Sequence, residues 1–279
     1  MRRIRRLQIL LFLIFFTLPL PAQAITVGTF NAEYFSIYGS KNGPKRYTDS
    51  ELKELASRIT DSGVDVLAMQ EVEGNATMRY FVLKFLPGWK YIGNDTKDVQ
   101  DLYFLWDPKK VTLVSEPKIY FDDYYAQHNG KKFKVFDRPP FAAAFHDSQK
   151  TYMLINIHLK SNFIPPSAQN AEQAKRYNIA KRNTQLACLN RFADSLKLPA
   201  LILGDYNTNN AANETSFPVK TLKRGFTLDN WNLNLDYIGY VNIPDSAISE
   251  AREVESSLSS RSTRKKEHPD HDIIIVDVR

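Results

Sequence analysis

The stretch KEHPDHDIIIVDVR, residues 266–279, sets two histidines and two aspartates (His268, Asp270, His271 and Asp272) directly before the apolar run 273–276. Buried strands are ordinarily approached by turn residues, so titratable groups at this density ask for a chemical explanation or a surface one. Working outward, the same juxtaposition recurs. Asn31 closes VGTFN, Glu71 follows VLAMQ, His158 interrupts LINIHL, and Asp205 and Asn207 follow LILG. Five β-rich runs thus end in, or start from, a side chain able to bind a metal or move a proton. If the strands lie side by side with the appropriate ends at one rim, Asn31, Glu71, His158, Asp205, Asn207, Asp270 and His271 converge there. Each has a bland alternative when taken singly. An Asn after a strand is ordinarily a turn former, GDYN has turn composition, and a His in an apolar run is ordinarily a hydrogen-bonded core residue. Their combination carries the chemical reading.

Short β-rich runs occur at ITVGTFN, VDVLAMQ, LYFLW, VTLVS, PPFAAAF, YMLINIHL, PALILGD, LDYIGYV and DIIIVDV, too short for helices. Several are apolar on both sides, as strands are when another layer covers each face. Two stretches predict helices. In TDSELKELASRITDSG, Thr48 and Glu51 have capping-box spacing, Leu52, Leu55, Ala56 and Ile59 share a face, and Gly63 suits the C-terminal end. In residues 167–197, Ile179, Leu186, Leu189, Ala193 and Leu196 recur at near-helical spacing, and the Lys and Arg between them read as a solvent face. The pattern predicts an α/β chain of two packed sheets with flanking helices.

At 279 residues, 43% hydrophobic and 24% charged, the chain is long enough for a large core and its composition excludes disorder. Four Arg precede the apolar run 9–16, and PAQA follows. This is the pattern of a secretory signal peptide ending at Ala24, since the apolar run falls short of the roughly 20 residues of a spanning helix. One domain, 25–279, is expected after it, secreted or periplasmic and without stable membrane insertion. Loss of those four Arg lowers the formal charge from +6 to +2, so overall basicity says little about a polyanionic partner. The one cysteine, Cys188, reads as a small core residue. Sequons at Asn75, Asn94 and Asn213 matter only where the host glycosylates.

In combination and order, TFNAEYF, LAMQEV, DRPPFAAAF, INIHLKSN, LILGDYNT, NLDYIGYV and HPDHDIIIVDV resemble the endonuclease/exonuclease/phosphatase family, the DNase I-like metal-dependent phosphoesterases. LYFLWDPKKVTLV is similar to a strand pair of the same proteins. The resemblance spans the chain from its first strand to its last. It implies a four-layer α/β sandwich of two mixed β-sheets, with Glu71 as the principal metal ligand and Asn31 and Asp270 beside it. Two carboxylates and an amide oxygen suit a hard cation, Mg²⁺ with Mn²⁺ or Ca²⁺ as substitutes, and no Cys or paired His suggests zinc. Asp205 and His271 are candidates for orienting or deprotonating water, and Asn207 for donating to a phosphate oxygen. Asp236 resembles the family Asp that fixes the tautomer of the base His271. His158 would stand across the phosphate as a stabiliser or proton donor, and Arg138 would supply a two-pronged phosphate contact. His268 and Asp272 read as bystanders.

Two positions depart from the family pattern. The Glu that orients the second His in DNase I-like nucleases is replaced by Gln100, beside Asp101, and the Ser before the Asp-His pair is Pro269, which has neither hydroxyl nor N–H.

The family cuts DNA, RNA, phospholipids and inositol phosphates, so fold alone does not choose. Basic loops at residues 41–46, Lys160 and residues 261–266 flank the candidate segments and suit an extended polyanion. Tyr120, Phe121, Tyr124 and Tyr125, shortly before Asn129-Gly130, suit a bilayer interface, base stacking or plain packing. A secreted, monomeric endonuclease acting on DNA or RNA is the leading expectation. The alternatives are a sphingomyelinase-like phospholipid phosphodiesterase, an inositol-phosphate phosphatase, or a binding protein without catalysis.

Overall fold

The computed structural model describes residues 25–39, 46–96, 100–222, 226–228, 231–262 and 266–279. The expected signal peptide, residues 41–45 of the first basic loop and residues 263–265 of the last lie outside the described residues.

The main strands are β1 (Ile25–Phe35), β2 (Val66–Val72), β3 (Lys90–Gly93), β4 (Asp101–Trp106), β5 (Phe141–His146), β6 (Thr151–His158), β7 (Ala200–Asp205), β8 (Asp236–Val241), β9 (Arg252–Val254), β10 (Lys266–His271) and β11 (Ile273–Val278). With the short strand Thr112–Leu113, a strand falls in each of the nine runs expected from the sequence. They form two mixed sheets. The first has the order β9-β11-β1-β2-β4-β3, and the second runs from Val219–Lys220 through β8-β7-β6-β5 to Thr112–Leu113. At the centre of each sheet is a parallel pair, β1 with β2 and β6 with β7, and antiparallel neighbours flank it.

Period-two alternation decides what fills each layer. Val27, Val66, Phe104, Phe145, Leu154, Leu203, Ile274 and Val276 meet between the sheets, whereas Ile273 and Ile275 turn outward under the helices. Helices α1 (Asp49–Asp61) and α2 (Gly74–Phe85) cover the first sheet, and α3 (Ala171–Ser195) covers the second. Four layers result, as in the DNase I-like sandwich. Within the central layer, Gln70 Nε2 donates to Asn156 Oδ1 at 2.7 Å, and Asn156 Nδ2 donates to the carbonyls of Met69 and Tyr103. This buried link pins one sheet to the other.

Helix α1 starts as the sequence predicts: Thr48 accepts from Glu51 N, Glu51 closes the capping box, and Gly63 beyond the end has φ +75°. Helix α2 was not foreseen. It buries Thr77, Met78, Phe81 and Val82, but no side chain caps its N-terminus, so the sequence carries no start signal there. Helix α3 corrects the solvent-face reading of its cations: Lys175, Arg176 and Arg191 are exposed, yet Lys181 and Arg182 are buried.

The aromatic segment divides. Tyr120 and Phe121 pack on Phe192, and Phe121 stacks on Phe136 at 5.5 Å. Tyr125 sits half exposed on the hairpin Tyr125–His128 with Lys131–Lys134, whose Asn129-Gly130 turn has φ 50° and 73°. Cys188 is a buried core residue whose thiol is pushed up by burial. Among the described residues no helix is long and apolar enough to cross a membrane.

Candidate active site

Two parallel pairs deliver their C-terminal ends to one rim, and the antiparallel β8 delivers its N-terminal end there. His158 ends β6 beside Asp205, which ends β7, and Asp205 is in register with Asp236 at the start of β8. From the facing sheet come Asn31 in β1 and Glu71 near the end of β2. Asp270 and His271 end β10, and β11 starts two residues later. All are buried or nearly so.

Hydrogen bonds join the two sheets here. Asn31 Nδ2 donates to Glu71 Oε1 at 3.2 Å and to Asp205 Oδ2 at 3.1 Å, and Asn31 Oδ1 accepts from Glu33 N at 3.1 Å. Tyr34 N donates to Glu71 Oε2. Asn207 N and Nδ2 both donate to Asp205. His158 Nε2 stands 3.6 Å from Glu71 Oε1 and 3.5 Å from Asp205 Oδ2. His271 Nδ1 donates to Asp236 Oδ2 at 2.6 Å, which turns its Nε2 to the site, 3.9 Å from Asp270 Oδ1. Glu33, Tyr34, Glu71 and Asn207 all have φ between 46° and 58°. Such left-handed backbone costs on the order of 1 kcal/mol or more per residue and is retained where placement matters.

Burial governs the charges, and partners modify it. Burial pushes the Asp205 carboxyl up to about 7, and it raises Glu71. Burial drives His158 well below the usual imidazole range, helped by the charges of Arg138, His271 and Lys160. Burial would lower His271 too, but Asp236 outweighs it and holds the imidazolium well above that range.

Three expected roles change. Asn31 turns its amide hydrogens to Glu71 and Asp205 and its carbonyl to Glu33 N, so in this arrangement it orients the two carboxylates. Asn207 Nδ2 is committed to Leu159 O and Asp205 Oδ2, and a phosphate would have to displace one of these. Arg138 donates to His158 O, Leu159 O and Gln100 Oε1. Its fork braces the end of β6 instead of presenting two prongs to a phosphate. Gln100 therefore holds Arg138, and His158 Nδ1 is buried without a hydrogen-bond partner among the described residues.

Of the remaining basic positions, Arg261 is internal: it pairs with Glu51 at 3.0 Å and lies 3.8 Å over the Tyr47 ring. His268 and Asp272 serve structure. His268 Nδ1 bonds Glu33 Oε2 at 2.6 Å, and Asp272 accepts from Ser256 N at 3.1 Å. Glu33 was missed by sequence reasoning: its φ of 46° and the broken register between Asn31 and Phe35 interrupt the strand alternation that could have placed it.

The donor chemistry fits a hard divalent cation. Glu71, a buried carboxylate with a raised pKa, lies near Asp270, whose charge raises it further. Among the described residues no group of three or more His, Cys, Asp or Glu forms a ready-made cage. A site of one or two carboxylates completed by water is the kind Mg²⁺ takes.

No protein-family model and no curated protein matches the sequence. Solved structures do match. TDP2 of D. rerio complexed with single-strand DNA product is 15% identical over 92% of this chain and 99% of that one, with a TM-score of 0.63. The endonuclease/exonuclease/phosphatase from Bacteroides vulgatus is 15% identical over 92% and 99%, at 0.56. The mannosyl-6-phosphatase of Bacteroides thetaiotaomicron is 14% identical over 91% and 100%, at 0.57. The chain has the endonuclease/exonuclease/phosphatase fold.

Proposed function

We propose that the chain is a metal-dependent phosphodiesterase exported through its leader, and that it acts as an endonuclease on DNA or RNA. The observation that carries this reading is the meeting, at one rim of two sheets, of Glu71, Asp205, His158 and the Asp236–His271 pair. The fold supports a phosphoester substrate, and the TDP2 neighbour holds single-strand DNA. The mannosyl-6-phosphatase neighbour shows that the same fold also hosts sugar monoesters, so substrate choice rests on the surroundings of the site.

Glu71 and Asp270 would hold the Mg²⁺, which supplies charge neutralisation at the phosphoryl oxygens when bound. Asp205, poised near neutrality and fixed by Asn207 and Asn31, accepts the proton of the attacking water. His271 is held by Asp236 toward its charged form, which suits a donor better than the base the resemblance implies. Its Nε2–H is a charge-assisted donor to phosphate oxygens, and Asp236 keeps it charged and oriented. His158, neutral between Glu71 and Asp205, holds the two carboxylates apart. Two half-exposed tyrosines favour a lipid substrate only weakly, because Lys132 Nζ lies 4.4 Å over the ring of Tyr125.

Purified protein with Mg²⁺ is expected to nick plasmid DNA, to stop with EDTA, and to lose on the order of 10²-fold in rate as His271→Ala. Hydrolysis of neither plasmid, RNA, sphingomyelin nor bis-(p-nitrophenyl) phosphate would end the enzyme reading. Cleavage of sphingomyelin alone would replace the nuclease by a lipid phosphodiesterase.

A further inference from the structure

The loop after β6 holds an apolar ring in water under unusual restraint. Phe163, five residues beyond His158, is 68% exposed. One stripe of α3 fixes the loop beneath it. Asn178 Nδ2 donates to Phe163 O at 3.0 Å, Arg182 Nη1 donates to Asn162 Oδ1 at 2.6 Å and Lys160 O at 3.3 Å, and Gln185 Oε1 accepts from Lys160 N at 2.8 Å. Within the loop, Ser161 Oγ accepts from Phe163 N. Asn178, Arg182 and Gln185 lie at helical spacing and are all buried. Withdrawing two amides and a guanidinium from water is costly unless each is bonded. An idle surface loop needs no such clamp. What the clamp fixes is the backbone that carries a largely exposed phenyl ring, five residues beyond His158.

The foot of the same loop is electropositive. Lys160 is half buried close to Lys181 and Arg138, whose charges and burial lower its pKa against Asp137. Asp137 bonds Lys181 Nζ at 2.5 Å and is itself half exposed. Three cations around one carboxylate invite an anion.

We propose that Phe163 and Lys160 form a subsite for the nucleotide adjoining the cleaved phosphodiester, the ring stacking on an unpaired base and Lys160 facing the next phosphate. Single-stranded nucleic acid is then cleaved in preference to duplex. This rests on the nuclease reading above. An aromatic face accepts any base, but only one that is not already stacked in a duplex. A bilayer would want a broad apolar patch, whereas here Lys160, Ser161 and Asn162 precede Phe163 and only the short run Ile164, Pro165 and Pro166 follows it.

The test scans a single-stranded oligonucleotide with one abasic residue at successive positions. In the wild type, base removal at one position beside the cleaved phosphate is expected to lower kcat/KM on the order of tenfold. Phe163→Ala should erase that penalty, Phe163→Trp should keep it, and Lys160→Gln should flatten the salt dependence of binding. An equal penalty in wild type and Phe163→Ala, or no sensitive position, overturns the subsite. So does a Phe163→Ala variant that keeps the penalty but no longer sediments with sphingomyelin vesicles. A wild type that hydrolyses bis-(p-nitrophenyl) phosphate but no oligonucleotide refutes the nuclease reading itself, before any variant is compared.

Discussion

Two imidazoles share the rim of the candidate site and have opposite electrostatic fates. His158 and His271 are 2% and 5% exposed, so burial pushes both toward the neutral form. His271 sets its far nitrogen on Asp236 at 2.6 Å and is held charged. The far nitrogen of His158 has no partner among the described residues, and Arg138 stands nearby. Equal burial with unequal partners gives one cation and one neutral donor in a single site. Their contributions to stability run oppositely with pH. The raised pKa of His271 stabilises the fold below about 6.5, the value of the unfolded side chain, and this is lost as pH rises through the folded value. The depressed pKa of His158 makes the unfolded chain the better proton acceptor, so its contribution falls as pH drops through about 6.5.

The most drastic way to break the contrast is Gly204→Ala. Gly204 pairs with Ile157 in the β6–β7 seam, has φ +154°, and a Cβ there would sit 1.9 Å from Ile157 O. The seam must open, displacing His158 and Asp205 together, at a cost on the order of 3 kcal/mol or more. Thermal denaturation would show it as a large loss of Tm, and an unchanged Tm would mean that the strands are not so closely joined. Asp236→Asn acts on one side alone. Activity should fall on the order of 10²-fold, and the alkaline limb of the pH-rate profile should move to lower pH as His271 loses its counter-charge. A limb that stays in place would show that Asp236 does not set the protonation of His271.

The difference between the two sides also marks how far the sequence could be read. The rim was legible where polar residues recur at strand ends, as with Glu71, His158, Asp205 and His271, whereas Asp236 was indicated only by the resemblance to DNase I-like proteins. Helix α1 was legible as well, through Thr48 and Glu51. What stayed hidden were the non-local commitments. Nothing in DRPPF says that Arg138 is bound by two carbonyls and Gln100, and nothing in Asn31 says which end of its amide faces Glu71. Helix α2 lacked a capping signal. Lys181 and Arg182 looked like surface cations because charge predicts exposure only until an acceptor reaches the buried cation, here half-exposed Asp137 and the Lys160–Phe163 loop.

Gln100→Glu would sharpen the comparison by giving the His158 side a charge. Gln100 Oε1 accepts from Arg138, the charge that, after burial, does most to hold His158 down. A carboxylate at this position neutralises Arg138 without touching His158, Glu71 or the Asp236 pair. The His158 pKa should then rise while that of His271 stays fixed, as read from the imidazole resonances in an NMR titration. Movement of His158 alone would mean that the two sides titrate independently. If His158 does not respond, burial outweighs the nearby guanidinium, and the neutral state of this imidazole follows from the strand that carries it rather than from the residue that replaced the family glutamate.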